Sequence, residues 1–249
     1  MSKGSRDRAD KARRIVEQQR LAERRRTVAT WTSVAVVAVL IIAGVIGYSM
    51  VSGKDEKTQS ALVTPSVAVD EGTAFAVGSG PVTVDLYEDF MCPICKNFES
   101  TSSAGLRQLA TAGKVTLRYH VVSILDRASN GTEYSTRSAG AAAAAAEEGK
   151  FTEFHDALYA DQPEENSDGL SNSKIIEIGK SIGLTSDKFA AAVNAGTYTA
   201  WATKATETFS ARHFTGTPTI VVNGTQVTGP QDSVPTVELI TQAVDKAAG

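Results

Sequence analysis

Residues 27–53 carry no charged side chain, and this uncharged stretch divides the chain of 249 residues into two unequal parts. Within it, residues 31–51 (WTSVAVVAVLIIAGVIGYSMV) are almost wholly apolar, and about 20 apolar residues are enough to cross the hydrocarbon core of a bilayer. Trp31 and Tyr48 lie near the two ends, where aromatic rings favour the membrane interface. The pattern therefore predicts a single transmembrane helix over residues 31–51.

Two other interpretations of the apolar stretch compete with a membrane anchor. A buried helix of a water-soluble domain usually keeps a polar stripe over this length, and none is present here. A cleaved signal peptide usually combines a short basic leader with about 7–15 apolar residues and a small-residue cleavage site. Here the leader is about 30 residues long, the apolar run is longer, and residues 47–50 (GYSM) make a poor cleavage sequence. An uncleaved anchor fits the sequence best.

Charge is distributed unevenly on the two sides of this stretch. Residues 1–26 contain ten Lys and Arg residues and four acidic ones, whereas the rest of the chain contains 15 basic and 24 acidic residues. Because basic flanks stay in the cytoplasm, we predict a single-pass protein of the cell membrane with a cytoplasmic N-terminus and an extracytoplasmic C-terminal domain. Basic arms also bind nucleic acid, but membrane topology already accounts for this charge, and we expect no nucleic-acid partner.

Composition and charge together predict four segments along the chain. These are a basic cytoplasmic segment (1–30), the transmembrane helix (31–51), a flexible linker (52–80) and a folded domain (81–249). The linker prediction rests on small and polar residues that show no clear period. Within the folded domain, a helical insertion is predicted over about residues 128–214.

Hydrophobic periodicity in the folded domain predicts both strands and helices. β-Rich runs predict strands over residues 82–87, 114–122, 219–222 and 226–228, the last two joined at Asn223-Gly224, a strong hairpin signal. Helical patterns cover residues 92–112, 138–148, 151–160, 174–182, 186–195, 198–214 and 235–248. The order is strand–helix–strand, a long helical stretch, then strand–strand–helix. It predicts a small α/β layer fold with an all-helical insertion.

The two cysteines of the chain, Cys92 and Cys95, form a C-P-I-C motif where a predicted strand ends and a predicted helix begins. Closing so short a loop removes little entropy from the unfolded chain, so the pair indicates chemistry and not a structural disulfide. Free N–H groups and the helix dipole at a helix start lower the pKa of a cysteine. We predict that Cys92 is the exposed nucleophile and that inward-facing Cys95 resolves its mixed disulfide.

Two other interpretations of the C-x-x-C motif are a zinc site and a pair of inert thiols. A zinc site needs a second pair of ligands, and His120, His155 and His213 are not paired at ligand spacing. We interpret each histidine as a packing or surface residue, and we expect no metal and no other cofactor. Inert thiols fit less well, because thiols outside the cytoplasm meet oxidising conditions.

A second signal lies downstream of the motif, in residues 216–222 (GTPTIVV). Pro218 cannot donate to a β-ladder, so it belongs at the start of a strand. Together with the cysteine motif, this proline makes the sequence similar to the DsbA-like branch of the thioredoxin superfamily. The resemblance covers about residues 81–248 and rests on VDLYEDFMCPICKNFE, EYSTRSAGAAAAAAEEGKFTEFHDALYADQPEE and GTPTIVVNG.

The resemblance implies a thioredoxin fold with an inserted helical domain. It also implies that Cys92 attacks substrate disulfides, that Cys95 is its resolving partner and that Pro218 is a cis-proline beside the motif. Thr217, which precedes that proline, would then offer free backbone groups to an extended substrate segment, a form of strand addition. Thr217 and Pro218 are therefore the predicted substrate-binding residues.

The sequence departs from the family pattern at one position. Many relatives carry a buried acid six positions before the first cysteine, and Leu86 stands there in this chain. Asp85 is one place off. Glu88 or Asp89 could substitute for the missing acid, but we favour the interpretation of both as exposed acids of a turn. A missing proton relay is expected to leave exchange possible but to slow one half-reaction.

We therefore predict a membrane-anchored thiol–disulfide oxidoreductase that acts on exported, cysteine-containing proteins in the oxidising direction. A membrane redox partner, which the sequence does not identify, would reoxidise the pair. The middle dipeptide Pro93-Ile94 does not fix the redox potential, so a reductase or isomerase is the first alternative. A redox-inert module that binds partner segments in the same groove is the second. In a third, the outer domain is a sensor and the cytoplasmic arm is the functional part.

Overall fold

The structure, a computed structural model, describes residues 61–249. The predicted cytoplasmic segment, the predicted transmembrane helix and the first part of the predicted linker lie outside the described residues. Within residues 61–249, no helix combines the length and the apolar composition needed to cross a membrane.

Five strands form one mixed sheet in the described part of the chain: β1 (Phe75–Gly78), β2 (Val82–Glu88), β3 (Val115–Val121), β4 (Thr219–Val222) and β5 (Thr225–Val227). Their order across the sheet is β1-β3-β2-β4-β5. The central strand β2 is parallel to β3 and antiparallel to β4, with Leu86 paired to Tyr119 on one side and to Ile220 on the other. The residues after Glu88 therefore leave from the middle of the sheet, which places the cysteine motif there.

Seven α-helices complete the described fold: α1 (Pro93–Thr111), α2 (Tyr134–Glu147), α3 (Phe151–Ala160), α4 (Asn172–Ser181), α5 (Asp187–Ala195), α6 (Thr199–Ala211) and α7 (Val237–Ala248). Helix α1 contacts β1 and β3, helix α7 contacts β2, β4 and β5, and the two helices contact each other. Helices α2 to α6 all follow β3 and precede β4 in the chain. This order confirms the predicted α/β fold with an all-helical insertion between the two halves of the sheet.

Helix α2 forms the centre of the inserted helices and contacts α3, α4, α5 and α6. Every residue from Ser138 to Ala146 is buried. Because most of these side chains are a single methyl group, neighbouring helices approach closely from several sides. The prediction of a helix over residues 138–148 is confirmed.

The hairpin between β4 and β5 is also confirmed. Asn223 and Gly224 both have positive φ, 44° and 81°, as the two central residues of a type I′ turn require. The Asn223 side chain accepts a hydrogen bond of 2.8 Å from the Thr83 backbone N–H. This contact ties the turn to the start of β2.

The predicted linker (52–80) extends too far towards the C-terminus. Strand β1 lies inside it and pairs antiparallel with β3. The Phe75 ring packs against Phe151 and Trp201, with ring centroids 4.8 and 5.1 Å apart. A segment of four residues (FAVG) is too short to show the alternation of apolar and polar residues that predicts a strand. Its burial against the insertion and its pairing with β3 stabilise it instead.

Candidate active site

The cysteine motif lies where β2 gives way to α1. Cys92 is the N-cap of α1 with extended backbone angles (φ −75°, ψ 114°), and Pro93 occupies the first helical turn. A proline is favourable there because the missing N–H would have no partner inside the helix. The Cys92 Sγ atom accepts a hydrogen bond of 3.3 Å from the Cys95 backbone N–H. The local sequence therefore aims the helix N-terminus at this sulfur.

These contacts give the two thiols opposite acidities. A hydrogen bond from the Cys95 thiol, helped by contacts with Thr217 and the N–H groups of Cys95 and Ile94, lowers the pKa of Cys92 to about 6 against the opposing effect of burial. Burial, a hydrogen bond to Cys92 and the charge of Glu88 raise the pKa of Cys95 well above its ordinary value. Near neutral pH the pair therefore holds one thiolate, on Cys92, and one proton, on Cys95.

The loop that contains Pro218 covers the first cysteine. The Thr217–Pro218 peptide bond is cis, and the Cys92 thiol donates a hydrogen bond of 3.4 Å to the Thr217 carbonyl. The expectation that Cys92 is exposed is therefore wrong, because only 4% of this residue is accessible, compared with 0% of Cys95. The Thr217 carbonyl is engaged by Cys92 only while the Cys92 thiol is protonated, because a thiolate has no proton to donate.

The exposed part of the motif is the side chain of Ile94, which is 55% accessible. It stands on the first turn of α1, one residue after Pro93 and beside the two cysteines. An exposed aliphatic side chain therefore stands beside the covered sulfur of Cys92.

The two acids before the motif are buried, which corrects the interpretation of Glu88 and Asp89 as exposed turn acids. Glu88 is 2% accessible and Asp89 0%. Asp89 accepts hydrogen bonds from the Met91 N–H, the Leu125 N–H and the Ser135 hydroxyl, so it fixes the loop before Cys92. Burial nevertheless raises the pKa of Asp89 to about 7. The sequence hides this burial because the loop is covered by the insertion, which lies far along the chain.

Glu88 belongs to a buried charge network that connects β2 with α3. His155, 1% accessible, bonds to Glu88 through Nε2 at 3.0 Å and to Asp156 through Nδ1 at 3.1 Å. Burial lowers the pKa of His155, but these two hydrogen bonds and the charges of Glu99 and Glu88 outweigh it and raise the pKa to about 10. Burial and the charge of Glu88 raise the pKa of Glu99. The network thus holds a proton on His155 directly behind the cysteine motif.

A second network lies around Asp85, the acid one place from the family position. Asp85 bonds to the Arg118 guanidinium at 2.5 and 2.7 Å and to His120 Nε2 at 3.1 Å. Asp70 bonds to both Arg118 and Arg212 at 2.9 Å. Asp85 is therefore committed to a structural ion-pair network that ties the segment before β1 to the sheet, and its partners are not the cysteines.

Two groups of side chains in residues 61–249 bring possible metal ligands within 4.8 Å of one another: Glu88, Glu99 and His155, and Asp70, Asp85 and His120. In both groups the histidine Nε2 atom is already hydrogen-bonded to a carboxylate. A ring nitrogen that carries the proton of such a bond has no free lone pair for a metal, whether the imidazole is neutral or charged. The contacts therefore describe hydrogen-bonded charge networks, which sequence spacing does not reveal because their members lie on different elements.

A third contact that the sequence does not signal involves Gln162, just after α3. Its amide Nε2 donates hydrogen bonds to the backbone carbonyls of Phe90 and Cys92 at 3.0 and 2.9 Å. Gln162 thereby joins the insertion to the backbone of the cysteine motif itself. Gln162 lies inside the stretch that resembles the family, but the sequence does not indicate that its amide reaches the cysteine motif.

Solved structures share this fold and the class of activity. DsbA from Mycobacterium tuberculosis in its reduced form is 30% identical, with a TM-score of 0.60 over 71% of this chain and 93% of that one. The reduced form of the disulfide bond oxidoreductase DsbG from the same organism is 31% identical, with a TM-score of 0.62 over 72% and 89% of the two chains. The described residues thus form a DsbA-like thiol–disulfide oxidoreductase domain.

The sequence comparison gives the family directly. The profile of the family described as Thioredoxin matches residues 63–245, and the chain therefore belongs to that thioredoxin family. Among curated proteins, the serine/threonine-protein kinase PknE of Mycobacterium tuberculosis is 25% identical over 173 residues. That match covers 66% of this chain and only 30% of the kinase. The relatedness therefore concerns one part of PknE.

Proposed function

We propose that this protein introduces disulfide bonds into exported proteins, with Cys92 as the nucleophile and Cys95 as the resolving thiol. The observation that carries the proposal is the division of acidity between the cysteines: the pKa of Cys92 is lowered to about 6 while that of Cys95 is raised. A thiolate stabilised by a helix N-terminus is both a reactive nucleophile and a good leaving group.

Thiol–disulfide exchange requires no cofactor, because the Cys92–Cys95 pair takes up two electrons when its disulfide is reduced to two thiols. A substrate thiolate attacks Cys92 Sγ of the oxidised pair, a mixed disulfide forms, and Cys95 leaves as a thiolate that takes up a proton. A second substrate thiolate then attacks the substrate sulfur of the mixed disulfide and releases Cys92 as its stabilised thiolate. The substrate loses two electrons and the Cys92–Cys95 pair gains them.

The acidity of Cys92 favours the oxidising direction over the reducing one. A thiolate that is stable in the reduced protein stabilises the reduced form as a whole, so the oxidised pair gives up its disulfide readily. Reduction or isomerisation would need the pair kept reduced by a partner. Reduction or isomerisation is the second candidate function. The redox potential of the Cys92–Cys95 pair distinguishes it from oxidation.

Substrate contact is proposed at the loop of Thr217 and Pro218, which lies against Cys92. An extended substrate segment beside this loop would approach Cys92 Sγ directly and displace its contact with the Thr217 carbonyl. Ile94, largely exposed, would meet an apolar side chain of the same segment. This is recognition by strand addition with one apolar contact.

We also propose that residues 31–51 anchor the protein in the cell membrane, with the N-terminus cytoplasmic and the catalytic domain outside. The uncharged run and the ten basic residues before it support this topology. The oxidised pair must be regenerated after each turnover, so a membrane-bound redox partner is the proposed electron acceptor.

The proposal is tested with the purified full chain and a reduced, unfolded protein that contains two cysteines. The oxidised chain is expected to remove two substrate thiols for each pair of thiols that appears on Cys92 and Cys95. Cys92→Ser should abolish the transfer. Cys95→Ser, offered instead a substrate that already contains a disulfide, should trap a mixed disulfide on Cys92 with release of one substrate thiol. Full biological activity of Cys92→Ser would instead support the redox-inert binding module.

A further inference from the structure

The end of helix α3 holds three carbonyl groups of the loop that leads into the cysteine motif. The Tyr159 hydroxyl donates to the Asp89 carbonyl at 3.3 Å. Gln162 Nε2 donates to the carbonyls of Phe90 and Cys92 at 3.0 and 2.9 Å. These groups come from the helical insertion, 70 or more residues from their acceptors in the chain. Two residues at and just after the end of α3, Tyr159 and Gln162, thus hold the backbone of residues 89–92.

The two carbonyls that Gln162 binds are that of Cys92 itself and that of Phe90, two residues before it. Cys92 keeps its sulfur in line with the Cys95 N–H only while its backbone stays extended, at φ −75° and ψ 114°. The orientation of the Cys92 carbonyl reports ψ of this residue directly, since the peptide group is planar. The Cys92 carbonyl also accepts the Lys96 N–H at 3.2 Å, the first bond of helix α1.

We propose that Gln162 is a positioning residue for Cys92: its amide fixes the carbonyls of Phe90 and Cys92 and so keeps the Cys92 sulfur aligned with the N-terminus of α1. The inference rests on the proposed function, because alignment of this sulfur matters only if Cys92 reacts as a thiolate. The Gln162 amide binds backbone carbonyls and not the sulfur. It acts through the backbone.

The chemistry of the side chain suits this role. A primary amide nitrogen has two N–H groups, one for each carbonyl, and carries no charge that would compete with the thiolate. Glutamate at this position has the same shape, but its carboxylate oxygens accept and cannot donate. Both contacts with the carbonyl oxygens of Phe90 and Cys92 would therefore become repulsive. Methionine has nearly the same length and no donor. Either change releases the two peptide groups and is expected to weaken the hydrogen bond from the Cys95 N–H to Cys92 Sγ.

The test measures the thiolate directly in the full, reduced chain, by its ultraviolet absorbance as a function of pH. The chain contains two cysteines and the Cys95 thiol stays protonated, so the transition belongs to Cys92. Gln162→Met is expected to raise the pKa of Cys92 by about one unit, and Gln162→Glu by more. The rate of alkylation at pH 6 should fall several-fold in both variants. Gln108→Met, on the exposed side of α1, is the matched control and should titrate like the unmodified chain.

A purely structural role of Gln162 gives a different result. In that case the variants would lower the melting temperature and leave the pKa of Cys92 unchanged, and this outcome would overturn the proposal. If Gln162→Met does not fold, Gln162→Asn keeps the amide with less reach, and Tyr159→Phe removes only the bond to Asp89. The first should raise the pKa of Cys92 and the second should change it less. Failure of the proposed function shows differently, as absence of disulfide exchange in the unmodified chain.

Discussion

Single residues set the reactivity of this site, and the two cysteines differ because of their places on one helical turn. Cys92 is the N-cap and receives the Cys95 N–H, whereas Cys95 is fully buried inside the first turn. The motif made this difference predictable, because a C-P-x-C sequence after a strand puts the first cysteine at the helix start. Its low exposure was not predictable, since the covering loop lies at Thr217, 125 residues away.

The first prediction concerns the pH dependence of alkylation in the reduced chain. Because the pKa of Cys92 is about 6, the rate should rise with pH through that value and level off above about 7. Because the pKa of Cys95 is raised, a single alkyl group per chain is expected near neutral pH, on Cys92. Mass spectrometry of peptides identifies the site. A rate that keeps rising to pH 9 would show an ordinary thiol and contradict the assigned acidity.

Acidic residues near the motif show the limit of sequence reasoning at this scale. Glu88 and Asp89 precede a proline-containing motif, which is typical of an exposed turn, yet both are buried. Their partners, His155 and Ser135, lie on helices of the insertion. A polar residue is buried only where distant partners satisfy it, and one sequence does not indicate which partners come together.

At the scale of elements, helix α3 connects the insertion to the reactive loop. His155, Tyr159 and Gln162 lie on it or directly after it, and each bonds to a residue between Glu88 and Cys92. Its bounds, Phe151–Ala160, were predictable from the amphipathic pattern FTEFHDALYA. Its docking partner was not, because the pattern shows a buried face without showing what covers it.

The second prediction tests this docking through His155. His155→Leu removes the protonated imidazole and leaves the Glu88 and Asp156 carboxylates without this partner, one of them deeply buried. Breaking a buried pair in this way is expected to cost about 3–5 kcal/mol of unfolding free energy. Urea denaturation of the full chain measures it, with His213→Leu at an exposed position as the control. Equal stability of the two variants would contradict a buried ion pair.

The same substitution predicts a pH dependence whose sign follows from the raised pKa of His155. Its stabilising contribution is fully present below the unfolded value of about 6.5 and is lost as the pH rises through about 10. The difference in unfolding free energy between the unmodified chain and His155→Leu should therefore shrink between pH 7 and pH 10. A difference that is constant over this range would mean that His155 is neutral when buried.

Sequence periodicity predicts some strands of the sheet and misses another. Strands β2, β3 and β4 are four to seven residues long and rich in β-branched residues, and their positions were predictable. Strand β1 was not, because FAVG is short and follows small polar residues. Its pairing with β3 and the contact of Phe75 with Trp201 stabilise it, and neither is visible in the local sequence.

The whole molecule combines a DsbA-like domain with an N-terminal region whose composition indicates a membrane anchor. The third prediction follows from the uncharged run at residues 27–53. The full chain should stay with membranes after alkaline extraction, and a variant without residues 31–51 should not. A protease added outside intact cells, after removal of any outer barrier, should digest the DsbA-like domain and spare the basic segment. Release of the full chain by alkali would contradict the anchor.

The central claim is that Cys92 and Cys95 form a reversible, oxidising dithiol–disulfide couple. The most direct test equilibrates the full chain in glutathione buffers of graded redox potential and then counts the free thiols by alkylation. The account predicts a two-electron transition with a midpoint well above about −200 mV, as expected when the Cys92 thiolate stabilises the reduced form. A midpoint near or below about −250 mV would indicate a reductant. The absence of any reversible transition would contradict the oxidoreductase function itself.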